Sequence, residues 1–327
     1  MRDFSYIRAA SASQAGSAAQ QSGAMFLAGG TTLLDLAKCG VSEPETVIDI
    51  THLSGMSGIT VDTAGARIGA LARMSEVADH GDIQAAFPAV SQSLSLAASA
   101  QLRNMATIGG NLLQRTRCSY FRDPGAFPAC NKRNPGSGCA AIGGITRNHA
   151  VLGASEACIA SYPGDLAVAL VAFDAVVELD GRKVAVDDFF LAPGNTPDRE
   201  TVLQRGEMIT AISIPASAAA VNSTYIKVRD RQSYEFAAAS AAVGLELEAD
   251  GKTVRDIRVA LGGVATKPWR ARSVEQALIG KALDADIVEK ASRLAMEGAV
   301  SHGGNHYKIE LAPRVVTRAI LKMGGLA

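Results

Sequence analysis

The segment from residue 103 to residue 146 constrains this chain more than any other feature, because it has little apolar periodicity. It is rich in glycine, proline, asparagine, arginine and cysteine. A structureless loop of this length is uncommon in a compact domain and is usually functional or disordered. Four of the five cysteines lie in it or just beyond it. We therefore expect a bound group to order this segment.

Regular elements are predicted on both sides of the segment from the spacing of apolar residues. Strands are predicted at residues 24–27, 46–50, 67–71, 157–161, 175–179, 209–214, 224–229, 241–248 and 254–262. Helices are predicted at residues 33–38, 75–80, 89–100, 165–173, 274–279, 286–299 and 314–323, with Pro313 starting the last one. The class is α+β. We expect one domain at residues 1–216, with a cysteine-rich insertion at about 115–158, and a second at residues 217–327.

Composition excludes two classes of partner. The charges of the 32 basic and 32 acidic residues cancel, so the formal net charge is zero. A nucleic-acid-binding protein, in contrast, usually has a strongly basic face. No apolar run approaches the roughly 18–20 residues that span a bilayer, so no membrane insertion is expected. The N-terminus M-R-D-F-S-Y-I-R lacks the apolar core of a secretory signal. The expected location is the cytoplasm, or the periplasm if a signal-bearing partner subunit carries the chain there.

The run L-A-G-G-T-T-L-L-D-L at residues 27–36 predicts an anion-binding turn between a strand and a helix. Gly29 and Gly30 allow a ligand to approach the backbone closely, and successive N–H groups at a helix N-terminus favour an anion. Thr31 and Thr32 add hydroxyl donors. The run matches neither G-x-G-x-x-G nor a P-loop. A purely structural strand–turn–helix connection is the alternative interpretation.

A second run, R-N-M-A-T-I-G-G-N-L-L-Q at residues 103–114, has similar chemistry. Gly109 and Gly110 are expected to expose backbone donors, flanked by Thr107 and Asn111. The Asn111 amide both donates and accepts hydrogen bonds, which suits the edge of a flavin ring. Two such runs suggest a ligand with two phosphates, or with a phosphate and a polar ring. A second structural turn is the alternative.

The clustered cysteines are candidate metal ligands. Eleven, eight and eighteen residues separate them in turn, and no C-x-x-C occurs, so the usual ferredoxin and zinc spacings do not match. Four thiolates are the number that a cubane iron–sulfur cluster needs. Unrelated buried thiols and a zinc site are the alternatives. Basic residues that would offset a cluster's charge, or dock another subunit, are Arg115, Arg117, Lys132, Arg133 and Arg147.

Together the runs resemble the FAD-binding subunit of the xanthine dehydrogenase and aldehyde oxidase family of molybdenum hydroxylases. A-G-G-T-T-L precedes R-N-x-A-T-x-G-G-N-L by about eighty residues. The runs L-L-Q-R-T-R-C-x-Y-F, C-N-K-R-N-P-G-S-G-C-A-A and Y-x-K-V-R-D-R-x-S-Y-x-F-A are similar to the flavin subunit of bacterial periplasmic aldehyde oxidoreductase. The resemblance implies a vanillyl-alcohol oxidase-type (PCMH) FAD-binding fold in two subdomains, followed by a small C-terminal α+β domain as in CO dehydrogenase flavoproteins.

The resemblance also implies the site residues. Asp165 matches a flavin contact that follows serine in the family, where this chain has Gly164. Lys227 matches a lysine near the isoalloxazine ring, where a cation stabilises the reduced flavin; a surface ion pair is the alternative for both. FAD is expected to contact Met25, Phe26, Leu27, Ala28, Gly29, Gly30, Thr31, Thr32, Leu33, Thr107, Gly110, Asn111, Asp165, Ile209 and Lys227. A [4Fe-4S] cluster is expected on Cys118, Cys130, Cys139 and Cys158.

The implied function is electron transfer. In this family a large molybdenum-cofactor subunit oxidises the substrate, here expected to be an aldehyde or a xanthine-type compound. Electrons then pass through two [2Fe-2S] clusters of a small subunit to the FAD subunit, which delivers them to an external acceptor. No catalytic residue is expected on this chain, and its five scattered histidines are interpreted as surface or structural. The alternatives are a freestanding flavin-dependent oxidoreductase of the same fold and a non-catalytic zinc-binding assembly module.

Overall fold

A computed structural model describes residues 1–326 of the chain. Its strands are β1 Ser5–Arg8, β2 Ala24–Leu27, β3 Thr46–Asp49, β4 Ile59–Asp62, β5 Gly65–Gly69, β6 Val176–Leu179, β7 Arg182–Ala185, β8 Ile209–Pro215, β9 Ser223–Val228, β10 Ala239–Leu247, β11 Val254–Gly262 and β12 Trp269–Arg270. Its α-helices are α1 Ala12–Ala18, α2 Leu33–Lys38, α3 Met74–Ala78, α4 Gly81–Ala86, α5 Pro88–Ser95, α6 Ala100–Arg103, α7 Ile108–Leu112, α8 Ser119–Arg122, α9 Leu166–Ala172, α10 Val186–Phe189, α11 Ala218–Val221, α12 Arg272–Leu278, α13 Ala285–Arg293 and α14 Tyr307–Met323.

Three sheets organise these elements. The strands β1, β3 and β2 form a parallel sheet with β3 in the centre. The second sheet has the order β4-β5-β8-β6-β7 and is antiparallel, and the third is antiparallel with the order β12-β11-β10-β9. Because β5 pairs directly with β8, the cysteine-rich segment is an excursion between two strands of one sheet.

Helix α9 lies at the centre of the chain and fixes the position of the residue before it. All seven of its residues are buried, and it packs against α5, β10 and β11. Its L-A-V-A-L-V-A sequence is apolar on every face, which is typical of a helix enclosed on all sides. Asp165, the N-cap of α9, is consequently held in the interior.

The C-terminal elements form a second core. Helices α12 and α14 pack on the sheet of β9 to β12, and α13 packs on these two helices. The core contains buried side chains from β10, β11 and α14. The closing helix begins at Tyr307, so the prediction that Pro313 starts it is wrong. Since proline removes one internal hydrogen bond, the buried contacts of the helix, including Val315 and Val316, offset that loss.

Two further predictions about local structure are wrong. Residues 157–161 form no strand; an isolated bridge joins Ser155 and Cys158 instead. The carbonyls of this segment bond to separate segments, that of Ile159 to the Ala150 N–H and that of Ala157 to the Asn131 amide. The segment at residues 103–146 does contain regular structure, in the short helices α7 and α8. No helix among residues 1–326 is both long enough and apolar enough to cross a membrane.

Candidate functional site

The first glycine loop connects β2 to α2 and has unused backbone donors. The first hydrogen bonds of α2 run from the Leu34 N–H to the Gly30 carbonyl and from the Leu36 N–H to the Thr32 carbonyl, both at 3.0 Å. Thr32, the N-cap, makes no capping bond through its side chain. Within residues 1–326, the five N–H groups of residues 29–33 have no protein acceptor. Five adjacent donors at a helix N-terminus are suited to an anion such as a phosphate.

The glycines of this loop are required by its surroundings. A Cβ on Gly29 would collide with the Met105 carbonyl group and lie 2.9 Å from the Ala106 Cα. Gly30 has φ +72°, in the left-handed region that glycine adopts without strain. The loop backbone therefore packs directly against the segment that leads into the second glycine run.

A cleft of about 370 Å³ opens in front of the first loop, within the size range of small-molecule and cofactor sites. Its wall also includes residues 203–208, which the sequence analysis did not identify. The predicted cofactor-binding residues that line it are Met25, Phe26, Ala28, Gly29, Gly30, Thr31, Thr32, Leu33, Thr107, Gly110 and Ile209. The predicted residues that do not line it are Leu27, Asn111, Asp165 and Lys227.

The second glycine run does not expose its donors, so that prediction is wrong. The Gly109 N–H donates to the Ala70 carbonyl at 2.8 Å. The Gly110 N–H donates to the Thr107 hydroxyl at 3.3 Å, because Thr107 is the N-cap of α7. Both glycines line the cleft, but the protein itself uses their N–H groups. The run therefore serves as a closely packed wall.

Asn111 lies behind this wall. Its amide nitrogen donates to the Met74 sulfur at 3.3 Å, and its side chain is buried. Its amide oxygen is also buried and has no hydrogen-bond partner within residues 1–326. A buried acceptor without a partner is costly, so Asn111 retains one unused hydrogen-bonding group close to the cleft.

Asp165 and Lys227 form a buried ion pair, so the interpretation as a surface ion pair is wrong. The Lys227 Nζ lies 2.8 Å from the Asp165 Oδ2, and the two side chains are 1% and 5% exposed. The Tyr225 hydroxyl donates to the other carboxylate oxygen at 2.6 Å. Burial and the Asp165 carboxylate raise the pKa of Tyr225 well above its ordinary value. The phenol therefore stays protonated and fixes the carboxylate.

Gly164 departs from the serine of the family pattern for a packing reason. A Cβ at this position would lie 2.6 Å from the ring of Tyr162. Tyr162 is itself anchored, since its hydroxyl donates to the Leu112 carbonyl at 3.1 Å. The tyrosine thus occupies the space that a serine side chain needs. It also lines a second cavity of about 210 Å³, which shares Leu113 and Arg115 with the main cleft.

The cysteines separated in sequence converge on one enclosed space, the cysteine pocket, lined by Cys118, Cys130, Cys139 and Cys158. Cys130 and Cys139 face each other across an antiparallel bridge. Within residues 1–326, no three His, Cys, Asp or Glu side chains are close enough to hold a single metal ion. A cubane needs four ligands that stand farther apart, around the cluster. The free volume of the whole pocket is about 10 Å³, so a cluster requires the pocket walls to move outward.

Burial keeps Cys118 and Cys158 protonated when no metal is bound. It raises the pKa of Cys118 to about 12, and it raises that of Cys158 above the ordinary value. Because metal ligation needs thiolates, metal binding here must release protons.

The basic residues near the pocket are largely neutralised. Arg115 and Lys132 both pair with Glu200. The remaining pairs are Arg117 with Asp35 at 3.1 Å and Arg147 with Asp230 at 3.0 Å. Arg133 instead donates to the carbonyl oxygens of Tyr120 and Phe121. Most of the charge expected to offset a cluster is therefore already balanced by carboxylates.

One residue at the cysteine pocket, His149, was not predicted from the sequence, where it is interpreted as surface or structural. The His149 Nε2 lies 3.2 Å from the Cys118 Sγ, and the side chain is only 5% exposed. Burial, reinforced by the Lys308 cation, lowers the pKa of His149 to about 4, so the ring is neutral. No motif in the sequence marks this histidine, because 31 residues separate it from Cys118.

Comparison with known families agrees with this geometry. Residues 2–217 match the FAD binding domain in molybdopterin dehydrogenase, and residues 223–323 match the CO dehydrogenase flavoprotein C-terminal domain. The chain belongs to this family of FAD-binding flavoproteins and is a subunit of an oxidoreductase complex. The expected fold, a PCMH-type FAD-binding domain followed by a C-terminal flavoprotein domain, is confirmed.

Individual members of the family are similar to this chain over most of its length. The chain is 47% identical over 285 residues to the aldehyde oxidoreductase FAD-binding subunit PaoB of Escherichia coli, covering 85% of this chain and 86% of that protein. It is 27% identical to the glyceraldehyde dehydrogenase medium chain of Sulfolobus acidocaldarius, covering 97% of each. A chain in the structure of carbon monoxide dehydrogenase from Hydrogenophaga pseudoflava matches with a TM-score of 0.76 and 25% identity, covering 100% of this chain and 99% of that one.

Proposed function

We propose that this chain is the FAD-binding electron-transfer subunit of a heterotrimeric, molybdenum-containing aldehyde oxidoreductase. Its partners would be a large molybdenum-cofactor subunit, which oxidises the aldehyde, and a small subunit with two [2Fe-2S] clusters, which delivers electrons to this chain. The 47% identity to an aldehyde oxidoreductase FAD-binding subunit carries the proposal. Bound FAD supplies the ability to accept electrons singly and to release them as a pair to an external acceptor.

The chain's own residues would hold the cofactor by its diphosphate. The unused N–H groups of residues 29–33 offer five donors to phosphate oxygens, and Thr31 and Thr32 add two hydroxyls. Phe26 and Ile209 supply apolar walls. We assign the buried pair of Asp165 and Lys227 to the flavin end of the cofactor.

The proposed domain boundary agrees with placing the Asp165–Lys227 pair at the flavin end. We place the boundary between residues 216 and 217, so that Asp165 belongs to the FAD-binding domain and Lys227 to the C-terminal domain. The flavin end would then lie where the two domains meet. The buried ion pair at 2.8 Å joins the domains at this point.

We further propose that the cysteine pocket holds a [4Fe-4S] cluster. Four cysteines from distant positions in the sequence line one enclosed space, which unrelated buried thiols have no reason to do. The metal would stabilise the loop by cross-linking its separate turns, as structural metal sites do.

Cysteine variants of anaerobically purified protein test the cluster. Each of C118S, C130S, C139S and C158S is expected to lower the iron content from about four atoms per chain, with FAD retained. C39S is the matched control, since Cys39 does not line the pocket, and it is expected to keep all the iron. Wild-type protein that contains zinc or no metal after anaerobic iron and sulfide reconstitution contradicts the cluster.

The electron-transfer role is tested by adding an aldehyde anaerobically and following the flavin absorbance. The flavin is expected to bleach when the chain is co-purified with its two partner subunits and to stay oxidised when the chain is alone. Bleaching of the isolated chain would instead identify a freestanding flavin enzyme. Failure of the chain to co-purify with a molybdenum subunit contradicts the heterotrimer.

A further inference from the structure

His149 has a specific relation to the cysteine pocket that the proposed function does not use. Its Nε2 lies 3.2 Å from the Cys118 Sγ. Within residues 1–326, Cys118 is the only one of the four pocket cysteines whose sulfur has a side-chain hydrogen-bond partner. The Cys158 sulfur has a backbone donor, the Ala160 N–H, at 3.5 Å.

The direction of the His149 contact follows from the chemistry of the two groups. A neutral imidazole has one N–H and one unprotonated nitrogen, whereas a metal-bound cysteine sulfur has no proton to donate. Only the tautomer with hydrogen on Nε2 makes an attractive contact with that sulfur. The opposite tautomer would face the thiolate with a lone pair and leave a buried Nδ1–H without a partner, since Nδ1 has none within residues 1–326.

The backbone around His149 is fixed by the C-terminal domain. The amide of Asn305, which is fully buried, donates to the carbonyl oxygens of His149 and Ala150 at 3.4 and 2.9 Å. The Thr146 hydroxyl donates to the His302 carbonyl at 2.7 Å, and the His149 N–H donates to the Thr146 carbonyl at 2.9 Å. The backbone that carries the imidazole is therefore held in place beside the cysteine pocket.

We propose that His149 is a positioning residue that donates an Nε2–H hydrogen bond to the cluster-bound Cys118 sulfur and thereby raises the reduction potential of the [4Fe-4S] cluster. This inference rests on the proposed cluster. A hydrogen bond to a ligating sulfur withdraws negative charge from it, and such bonds are among the factors that set cluster potentials. The reduced cluster carries one more negative charge, so it gains more from the bond than the oxidised cluster does.

The test is an anaerobic redox titration of the cluster in the FAD-loaded protein, followed by electron paramagnetic resonance. H149F removes the donor and keeps an aromatic ring of similar size. It is expected to disfavour reduction about tenfold, a fall of about 59 mV for a one-electron couple. H306F is the matched control, because His306 is exposed and adjoins Asn305, whose amide bonds to the His149 backbone. Its potential is expected to equal that of the wild type.

A second variant keeps the inference testable if H149F loses iron. H149Q retains an N–H donor, and it is expected to hold four irons with a potential below that of the wild type by less than about 59 mV. An unchanged potential in iron-replete H149F overturns the inference, as does loss of iron from H149Q. The wild-type iron content is measured first, so an iron-free wild type refutes the cluster itself and is distinguished from a failure of His149.

Discussion

The glycine loop at residues 28–33 and the glycine run at residues 107–111 look alike in sequence but use their backbone in opposite ways. Each has two adjacent glycines, a threonine and a helix. In the first loop the N–H groups of residues 29–33 have no acceptor in the described chain, whereas in the second the N–H groups of Gly109 and Gly110 bind Ala70 and Thr107. A glycine pair marks close backbone packing; its neighbours decide whether its donors remain for a ligand.

The largest effect is expected from Gly29→Ala. The new Cβ would collide with the Met105 carbonyl group, and the backbone at Met105 has little freedom to move away. We expect FAD affinity to fall at least about tenfold, which corresponds to roughly 1.4 kcal/mol, and the free energy of unfolding to fall as well. FAD titration by fluorescence and denaturant unfolding measure the two effects.

Gly110→Ala is the matched control in the second run. A Cβ there would meet only the Thr107 hydroxyl, at 3.0 Å, and alanine favours helix α7 by roughly 0.5–1 kcal/mol. We expect stable protein with FAD affinity within about threefold of the wild type, or roughly 0.7 kcal/mol. If G110A lost FAD while G29A retained it, the assignment of roles to the two loops would be reversed.

The next effect in size concerns fragments of the cofactor. If the first loop binds the diphosphate, ADP should stabilise FAD-free protein more than adenosine does at equal concentration. Ligand at 100 times its Kd stabilises the folded state by about 2.7 kcal/mol. Thermal unfolding with each fragment measures the difference, and Thr31→Val should reduce it. Equal stabilisation by ADP and adenosine would show that the loop does not recognise phosphate.

The smallest effect is expected from Thr107→Val. The change removes the hydroxyl that accepts the Gly110 N–H, and loss of an N-cap side chain costs about 1 kcal/mol. We expect this loss in FAD-free protein. Thr31→Val should leave the free energy of unfolding of the FAD-free protein unchanged. Within residues 1–326, the Thr31 hydroxyl makes no hydrogen bond that the change could remove. Urea denaturation of both FAD-free variants measures this difference. Equal destabilisation of the two variants would contradict the different roles assigned to Thr107 and Thr31.

Local pattern predicted much of the fold. Short apolar runs located β2, β8 and α9 within a residue or two, and the resemblance gave the correct fold and family. The run at residues 157–161 looked like a strand because it is short and apolar. It is not a strand, since its carbonyls bond to two separate segments, at Ala150 and Asn131, and sequence spacing carries no information about those partners.

The site was predicted less completely, because sequence spacing carries no information about contacts between distant residues. The sequence identified the first loop, whose donors depend on a local strand–turn–helix geometry. It did not reveal that the Ala70 carbonyl would accept a hydrogen bond from the Gly109 N–H. Nor did it reveal that Lys227 and Asp165 would be buried together, or that His149 would lie against Cys118. Each of these contacts joins residues distant in sequence, and tertiary packing alone brings them together.

The most direct test of the account is a crystal structure of the FAD-loaded protein. We expect diphosphate oxygens about 3 Å from the backbone nitrogens of residues 29–33, a normal hydrogen-bond distance, with the N–H groups of Gly109 and Gly110 still bonded to Ala70 and Thr107. Diphosphate on the N–H groups of Gly109 and Gly110, with the first loop free of contacts to FAD, would contradict it.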